Sequence, residues 1–278
     1  MKHSIDELLQ RATSDLSLVA QNLSLKPKME SEILLGFVLD VPRIYLHTHG
    51  AQIIESTLAT HFLSLVSRRK NGMPIEYLTQ KASFYGFDFF VNPSVLIPRP
   101  ESEILIDKAR ELIHKHNITS IAEIGIGSGI LTTTLARLEP QCRFFATDIS
   151  QEALYVARQN IATHAPNADI TLHHCSILPP DMSSFELLIS NPPYIRDDYP
   201  ISKPLRYEPQ IALFGGKDGL DVYREILKTI EGRTNIWLLC EMGYDQKEAM
   251  GILLQNAKNV EFYKDLSGWD RGFSAYFM

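Results

Sequence analysis

The apolar positions fall at helical spacing in the first third of the chain and in short continuous runs afterwards. Ser4 followed by Glu7 has the form of a capping box, and Leu8, Leu9, Ala12, Leu16 and Val19 continue on one helical face. Lys26-Pro27 interrupts. Ile33, Leu34, Phe37 and Val38 mark a second helix, and Pro42 opens a short third one. Ile53 to Arg69 reads as a fourth, stopped by Asn71-Gly72 and Pro74. Residues 1–72 are therefore predicted to form a small helical bundle. The run Ala82-Ser83-Phe84-Tyr85-Gly86-Phe87-Asp88-Phe89-Phe90-Val91 is aromatic-rich with a central Gly, which predicts a β-hairpin within a linker over 73–97. Pro100, with acids around it, then starts a helix through Ile104, Leu105, Ala109 and Leu112.

From residue 98 to 278 helical and strand patterns alternate, which implies a parallel sheet covered by helices. The strands are read at Ile121–Ile124, Arg143–Asp148, Ile170–His173, Leu187–Ile189 and Thr234–Cys240, with a closing pair near Val260–Tyr263 and Ser274–Phe277. Leu187-Leu188-Ile189 is apolar without alternation, as expected of a strand buried on both faces.

The chain has 278 residues, of which 45% are hydrophobic and 22% charged, enough for one large domain and a small one. A net charge of −6 argues against broad nucleic-acid binding. Cys142, Cys175 and Cys240 are far apart and in no metal-ligand spacing, so they read as residues of a reducing, cytoplasmic compartment. His47, His49 and His61 lack ligand spacing too, and no metal is expected. No apolar run is long enough for a membrane span, and the first residues lack a signal-peptide core.

Candidate chemistry sits where strands end. Leu187–Ile189 runs into Ser190-Asn191-Pro192-Pro193-Tyr194. The prolines have no N–H for a ladder, and Pro192 pushes Asn191 away from helical angles. Asn191 should thus stand extended at a strand's carboxyl end, where open α/β sheets bind ligands. Its amide oxygen and the Pro192 carbonyl can grip a planar –NH2 group, with Tyr194 stacking on the attached plane. A Pro-Pro turn with a surface Tyr is the bland alternative. Upstream, Ile121-Ala122-Glu123-Ile124-Gly125-Ile126-Gly127-Ser128-Gly129-Ile130 is a strand entering a glycine turn. Its Gly-x-Gly-x-Gly spacing is not the dinucleotide fingerprint, because residue 130 is Ile. Asp148 ends the next strand roughly 20 residues on, where a ribose-binding acid is expected. Glu123 can reach a ligand's ammonium group or cap a backbone turn, Ser128 can donate a hydrogen bond, and Ile177 can cover one face of an adenine. Arg99 and Glu101 are read as lining the cofactor entrance, and for Glu208 a helix-capping role suffices.

These stretches together resemble the class I S-adenosylmethionine-dependent methyltransferases. They are most similar to the PrmC/HemK family, the N5-glutamine methyltransferases of peptide chain release factors. The resemblance runs through Pro74-Ile75-Glu76-Tyr77-Leu78, Phe84-Tyr85-Gly86, Leu96-Ile97-Pro98-Arg99-Pro100-Glu101, the glycine turn and Asn191-Pro192-Pro193-Tyr194. It continues through Tyr207-Glu208-Pro209, Leu213-Phe214-Gly215-Gly216-Lys217-Asp218-Gly219-Leu220 and Asp265-Leu266-Ser267-Gly268-Trp269-Asp270-Arg271. It implies a seven-stranded Rossmann-like α/β sheet with an antiparallel last strand, a substrate-recognition domain over 1–72 and a catalytic domain over 98–278. It implies S-adenosylmethionine as cofactor, held by Glu123, Gly125, Ile126, Gly127, Ser128, Gly129, Asp148, Ile149, Ile177 and Asn191. The glutamine of a class I release factor's Gly-Gly-Gln loop would lie against Asn191, Pro192, Pro193 and Tyr194, of which Asn191, Pro192 and Tyr194 would be catalytic. A cytoplasmic monomer needing neither nucleic acid nor membrane follows. Where many relatives carry an acid after the third strand this chain has Cys175-Ser176, so an adenine-amino contact there would rest on a serine hydroxyl or a backbone oxygen. A DNA or RNA amino-group methyltransferase is the competing reading, because a nucleobase amino group fits the same clamp, but it requires base flipping and a phosphate-binding surface. A non-catalytic binding protein is disfavoured by the intact Asn-Pro-Pro-Tyr, and a dinucleotide oxidoreductase by the glycine spacing.

Overall fold

A computed structural model describes residues 3–179, 182 and 184–278. The chain folds as two compact units. One comprises the residues up to Lys81 together with Ile201–Tyr207, and the other Ala82–Pro200 with Glu208–Met278.

In the first unit a short strand β1 (His3–Ser4) leads into α1 (Ile5–Ser17), followed by α2 (Ala20–Leu23), α3 (Pro27–Leu39), α4 (Arg43–Thr48), a second short strand β2 (Ile53–Ile54), α5 (Ser56–Lys70) and α6 (Ile75–Thr79). The capping box at Ser4 and Glu7 is present in both directions. Ile53 and Ile54 are not helical as the apolar pattern implied. They pair antiparallel with Ser4 and His3, the extended backbone that suits β-branched residues, and the helix begins only after Glu55. On α3 the inward face carries Leu34 and Leu35, while Phe37 is exposed. Ile5, Leu8, Leu16, Leu34, Leu46, Phe62 and Leu65 form the core. Glu30 and Arg69 are paired inside this unit at 2.7 Å, and Arg69 also donates to the Met73 carbonyl.

The second unit begins at Ala82, within the hairpin formed by β3 (Lys81–Phe84) and β4 (Phe87–Phe90). Tyr85 and Gly86 both have positive φ, 50° and 79°, the signature of a two-residue type I′ turn. The segment expected as a linker therefore divides. Residues 73–81 fold with the helices, whereas Phe84 and Phe89 are buried in the core of the sheet unit. A 3-10 turn at Pro100–Ser102 leads into α7 (Glu103–His116), then β5 (Ser120–Ile124), α8 (Ile130–Leu138), β6 (Arg143–Asp148), α9 (Gln151–His164), β7 (Ile170–His174) and β8 (Leu187–Ser190). After two short 3-10 turns come α10 (Asp221–Ile230), β9 (Ile236–Glu241), α11 (Lys247–Leu253), β10 (Asn259–Lys264) and β11 (Asp270–Phe277).

The seven strands are ordered β10-β11-β9-β8-β5-β6-β7, parallel from β9 to β7, with β11 antiparallel to both β9 and β10. The alternation along β8 explains its unbroken apolar run. Leu187 and Ile189 enter the core under α7 and α8, and Leu188 enters the core under α10. Fully burying such a side chain contributes about 1.5–3 kcal/mol. The order of connection reverses between β5 and β8, so their carboxyl ends border the crevice that open α/β sheets use for ligands.

Candidate functional site

Strands β5 and β8 are adjacent, with Ile124 opposite Ser190, and the Ser190 hydroxyl donates to the Ile124 carbonyl at 2.8 Å. The glycine turn and the Asn-Pro-Pro-Tyr segment therefore emerge side by side. They open onto a cavity of about 450 Å³. It is lined by the glycine turn, Asp148–Ser150, Ser176, Ile177, Ser190–Pro193, the Ser94–Arg99 loop, and residues from Pro209–Ala212 and the start of α10.

The three glycines of the turn all have positive φ, 75°, 54° and 84°, but they serve different ends. A Cβ on Gly129 would stand 3.2 Å from Ala157 Cα, so this glycine lets α8 pack against α9. A Cβ on Gly125 or Gly127 would meet nothing within 4 Å. That open space is where a ligand can lie against bare backbone. The Gly125 and Ile126 N–H groups both donate to the Thr147 carbonyl at 2.9 Å, tying the turn to β6. Ile126 itself packs against Ala146, Leu154 and Ala157.

Asp148 accepts from the Gly127 N–H at 2.9 Å and from the Ser150 N–H at 2.8 Å. Burial pushes its pKa up, and the Ser150 and Gly127 amides pull it back. Glu123, 1% exposed, takes both the N–H and the hydroxyl of Thr132 on one oxygen, so it caps the first turn of α8 while lining the cavity. Burial raises its pKa to about 8 against the Thr132 donors, and the charge on Asp148 adds to the rise. Ile149, Ile177 and Ser176 line the cavity; Cys175 does not.

Asn191 donates from Nδ2 to the Ser102 hydroxyl at 3.1 Å and lines the cavity with Pro192 and Pro193. Tyr194 is half-buried. Its ring packs against the core under α10, its hydroxyl donates to Glu241 at 3.3 Å, and it is not among the cavity-lining residues. Burial raises its pKa, and the Glu241 charge raises it further. Of the two residues read as lining the entrance, Arg99 lies on the cavity and Glu101 does not. Glu208 caps no helix. Its carboxylate, 5% exposed, takes the Ile97 N–H at 3.0 Å and pairs with Arg99, which holds the 97–99 loop against the segment leading to Pro209.

Several residues that hold the site carry little signal in the sequence. Asn160 accepts from the Phe90 N–H and donates to the Phe90 and Ser128 carbonyls, which staples the hairpin to the glycine turn. Its signal was a polar residue on the face of α9 shared by Ala153, Val156 and Ala157. Gln246 donates to the carbonyls of Tyr194 and Gly219 and accepts from the Gly243 N–H. Gly215 and Gly219 give the Phe214–Leu220 stretch its purpose, since a Cβ on them would stand 2.4 Å from the Pro193 carbonyl oxygen and 2.3 Å from that of Tyr194. Only glycine allows that loop to clamp the Asn-Pro-Pro-Tyr backbone so closely.

Comparison with known proteins bears on this geometry. Residues 7–79 match the family described as PrmC N-terminal domain, and residues 101–202 the one described as methyltransferase small domain. Release factor glutamine methyltransferase of Moorella thermoacetica is 36% identical over 259 residues, covering 90% of this chain and 92% of that protein. The protein of the same name from Neisseria gonorrhoeae is 37% identical over 258 residues, covering 90% and 93%. Among solved structures, the hMettl16 catalytic domain in complex with MAT2A 3'UTR hairpin 6 superposes with a TM-score of 0.56 at 15% identity, covering 82% of this chain and 84% of that one. The N-terminal domain of human METTL16 in complex with SAH gives 0.51 at 15%, covering 82% and 86%. At such identities these likenesses concern the fold alone.

Proposed function

The chain belongs to the release factor glutamine methyltransferase family, and from that premise we propose that it methylates the side-chain amide nitrogen of the glutamine in a release factor's Gly-Gly-Gln loop, using S-adenosylmethionine. The observation that carries the reading is the convergence of Asn191 and the bare backbone of Gly125 and Gly127 on one cavity.

The residues suit the cofactor. The open space over Gly125 and Gly127 accepts its methionine portion, with Ser128 and Glu123 beside it, and Gly129 shapes the turn. Asp148 is assigned to the ribose hydroxyls, and Ile149 and Ile177 to the adenine, with Ser176 as the polar neighbour in place of an acid. When bound, S-adenosylmethionine supplies a methyl group activated by the sulfonium charge.

The chain's own task is placement. An amide nitrogen is a poor nucleophile because its lone pair is delocalised into the carbonyl. Asn191 Oδ1 and the Pro192 carbonyl are assigned as acceptors for its two hydrogens. That grip orients the lone pair and sets oxygen dipoles where positive charge grows on nitrogen, an effect worth roughly 3–4 kcal/mol per group. Fixing the glutamine in this pose lowers the entropic part of the barrier. The methylated amide then loses its proton readily, so the site needs no dedicated base. The helical unit is assigned to recognition of the release factor, and the enzyme is taken to act as a cytoplasmic monomer without nucleic acid. No helix among the described residues is long and apolar enough to cross a membrane.

The test is transfer of labelled methyl groups to a purified release factor, to its loop Gln→Ala variant and to DNA. Label on the release factor that disappears in the loop variant supports the reading. Label on DNA instead would move the chain to the nucleic-acid class.

A further inference from the structure

Asn191 carries two chemically opposite ends on one planar amide, and the proposed clamp works only if oxygen faces the cavity. The side chain is free to turn by 180° unless its partners distinguish the ends. The partner here is a serine hydroxyl, which by itself does not distinguish them, because a hydroxyl both donates and accepts. What decides is the atom beyond it. Ser102 Oγ lies 2.6 Å from Glu241 Oε2 and 3.1 Å from Asn191 Nδ2. Ser102 is 1% exposed and Glu241 2% exposed, so water does not compete for these groups.

The hydroxyl has one proton, and the carboxylate, which accepts only, takes it. What remains toward Asn191 is a lone pair, so the end of the amide that meets Ser102 must be the NH2. The oxygen is left toward the cavity, where it accepts from no described residue. Glu241 is held in its accepting role from its other side, where the Tyr194 hydroxyl donates to Oε1. Burial pushes the Glu241 pKa up and the Glu101 charge adds to the rise, while Ser102, Arg271 and Tyr194 each pull it partway back.

We propose that Ser102 and Glu241 are positioning residues for methyl transfer, a directional relay that fixes the Asn191 amide with its oxygen toward the substrate. The proposal rests on the reading of Asn191 as the amide clamp. It also gives the hydroxyl of the motif's tyrosine a use away from the substrate, and it explains why a serine closes the Pro100–Ser102 turn. The two partners of Ser102 lie 139 and 89 residues away from it in sequence, which makes the arrangement a property of the fold.

The experiment compares the full-length wild type with Ser102→Ala, Ser102→Thr and Glu241→Gln, measuring kcat and KM for a purified release factor and, separately, the dissociation constant for S-adenosylhomocysteine. Loss of one hydrogen bond felt in the transition state predicts a fall in kcat of about five- to tenfold for Ser102→Ala. KM and the dissociation constant should stay within about twofold, since uniform binding is untouched. Ser102→Thr keeps the hydroxyl and should recover most of the loss. Glu241→Gln forces one of its two hydroxyl partners to turn, and kcat should fall there to the extent that Ser102, rather than Tyr194, is the one that turns. Wild-type kcat in Ser102→Ala would overturn the proposal. So would a loss shared equally by kcat and cofactor affinity, or a threonine variant as slow as the alanine one. A wild type that transfers nothing to the release factor would overturn the glutamine reading itself, and the relay with it.

Discussion

Replacing Glu123 with Gln tests whether burial controls the acid beneath the glycine turn. The unfolded side chain titrates at the ordinary 4.5, and in the folded unit burial raises that to about 8. Folding therefore takes up a proton across this interval, and the folded state loses stability as pH rises from about 4.5 until the loss levels off above about 8. Between pH 6 and pH 8 the linkage amounts to about 2 kcal/mol. The variant keeps an oxygen for the Thr132 N–H and hydroxyl but has no proton to lose, so it lacks this slope. Asp148, whose pKa is also raised, is common to both proteins, so its burial contributes equally to the two curves. Thermal unfolding of the cofactor-free proteins at both pH values is the assay. At about 2–4 °C per kcal/mol for a domain of roughly 200 residues, the wild-type midpoint should fall about 4–8 °C more than that of Glu123→Gln. Parallel pH trends in the two proteins would refute the reasoning, because they would mean that Glu123 is ionised in the fold already at pH 6.

The same group predicts that S-adenosylhomocysteine binds wild type more tightly at pH 8 than at pH 6, by about tenfold or more. A ligand ammonium favours the carboxylate, and calorimetric titration should find that dependence much reduced in Glu123→Gln. Asn191→Ala should lower kcat by about 10²–10³ while leaving the cofactor dissociation constant within a few-fold, the pattern of a contact made in the transition state. Gly127→Ala should cost only about 1–2 kcal/mol of stability for its φ of 54° yet weaken cofactor binding at least tenfold, because the added Cβ meets no protein atom and stands over the backbone assigned to the ligand. Gly219→Ala is the contrasting case. Its Cβ would stand 2.3 Å from the Tyr194 carbonyl oxygen, so denaturant unfolding should register a loss of about 2–4 kcal/mol.

Much of this protein was legible in its sequence because the relevant signals are local. The unbroken apolar run of β8 followed by two prolines marks a strand end by backbone chemistry alone, and the positive φ that glycine permits marks the turn after β5. The alternation of periods announces a parallel sheet. The turn of the hairpin was readable from its central Gly86 for the same reason. Local pattern misled where pairing overrides it, as at Ile53 and Ile54, which a partner strand draws into extended form. It was silent wherever a side chain takes its role from a distant partner. Glu208 looked like a cap and instead holds the 97–99 loop, and Asn160 looked like one more helix residue although it ties Phe90 to Ser128. Tyr194 was read for its ring alone, and the bond of its hydroxyl to Glu241 is visible only in the fold. The orientation of the Asn191 amide is the extreme instance. It depends on a proton shared between Ser102 and Glu241, and hydrogen-bond direction is set by which groups the tertiary fold brings within 3 Å, a quantity that no local pattern carries.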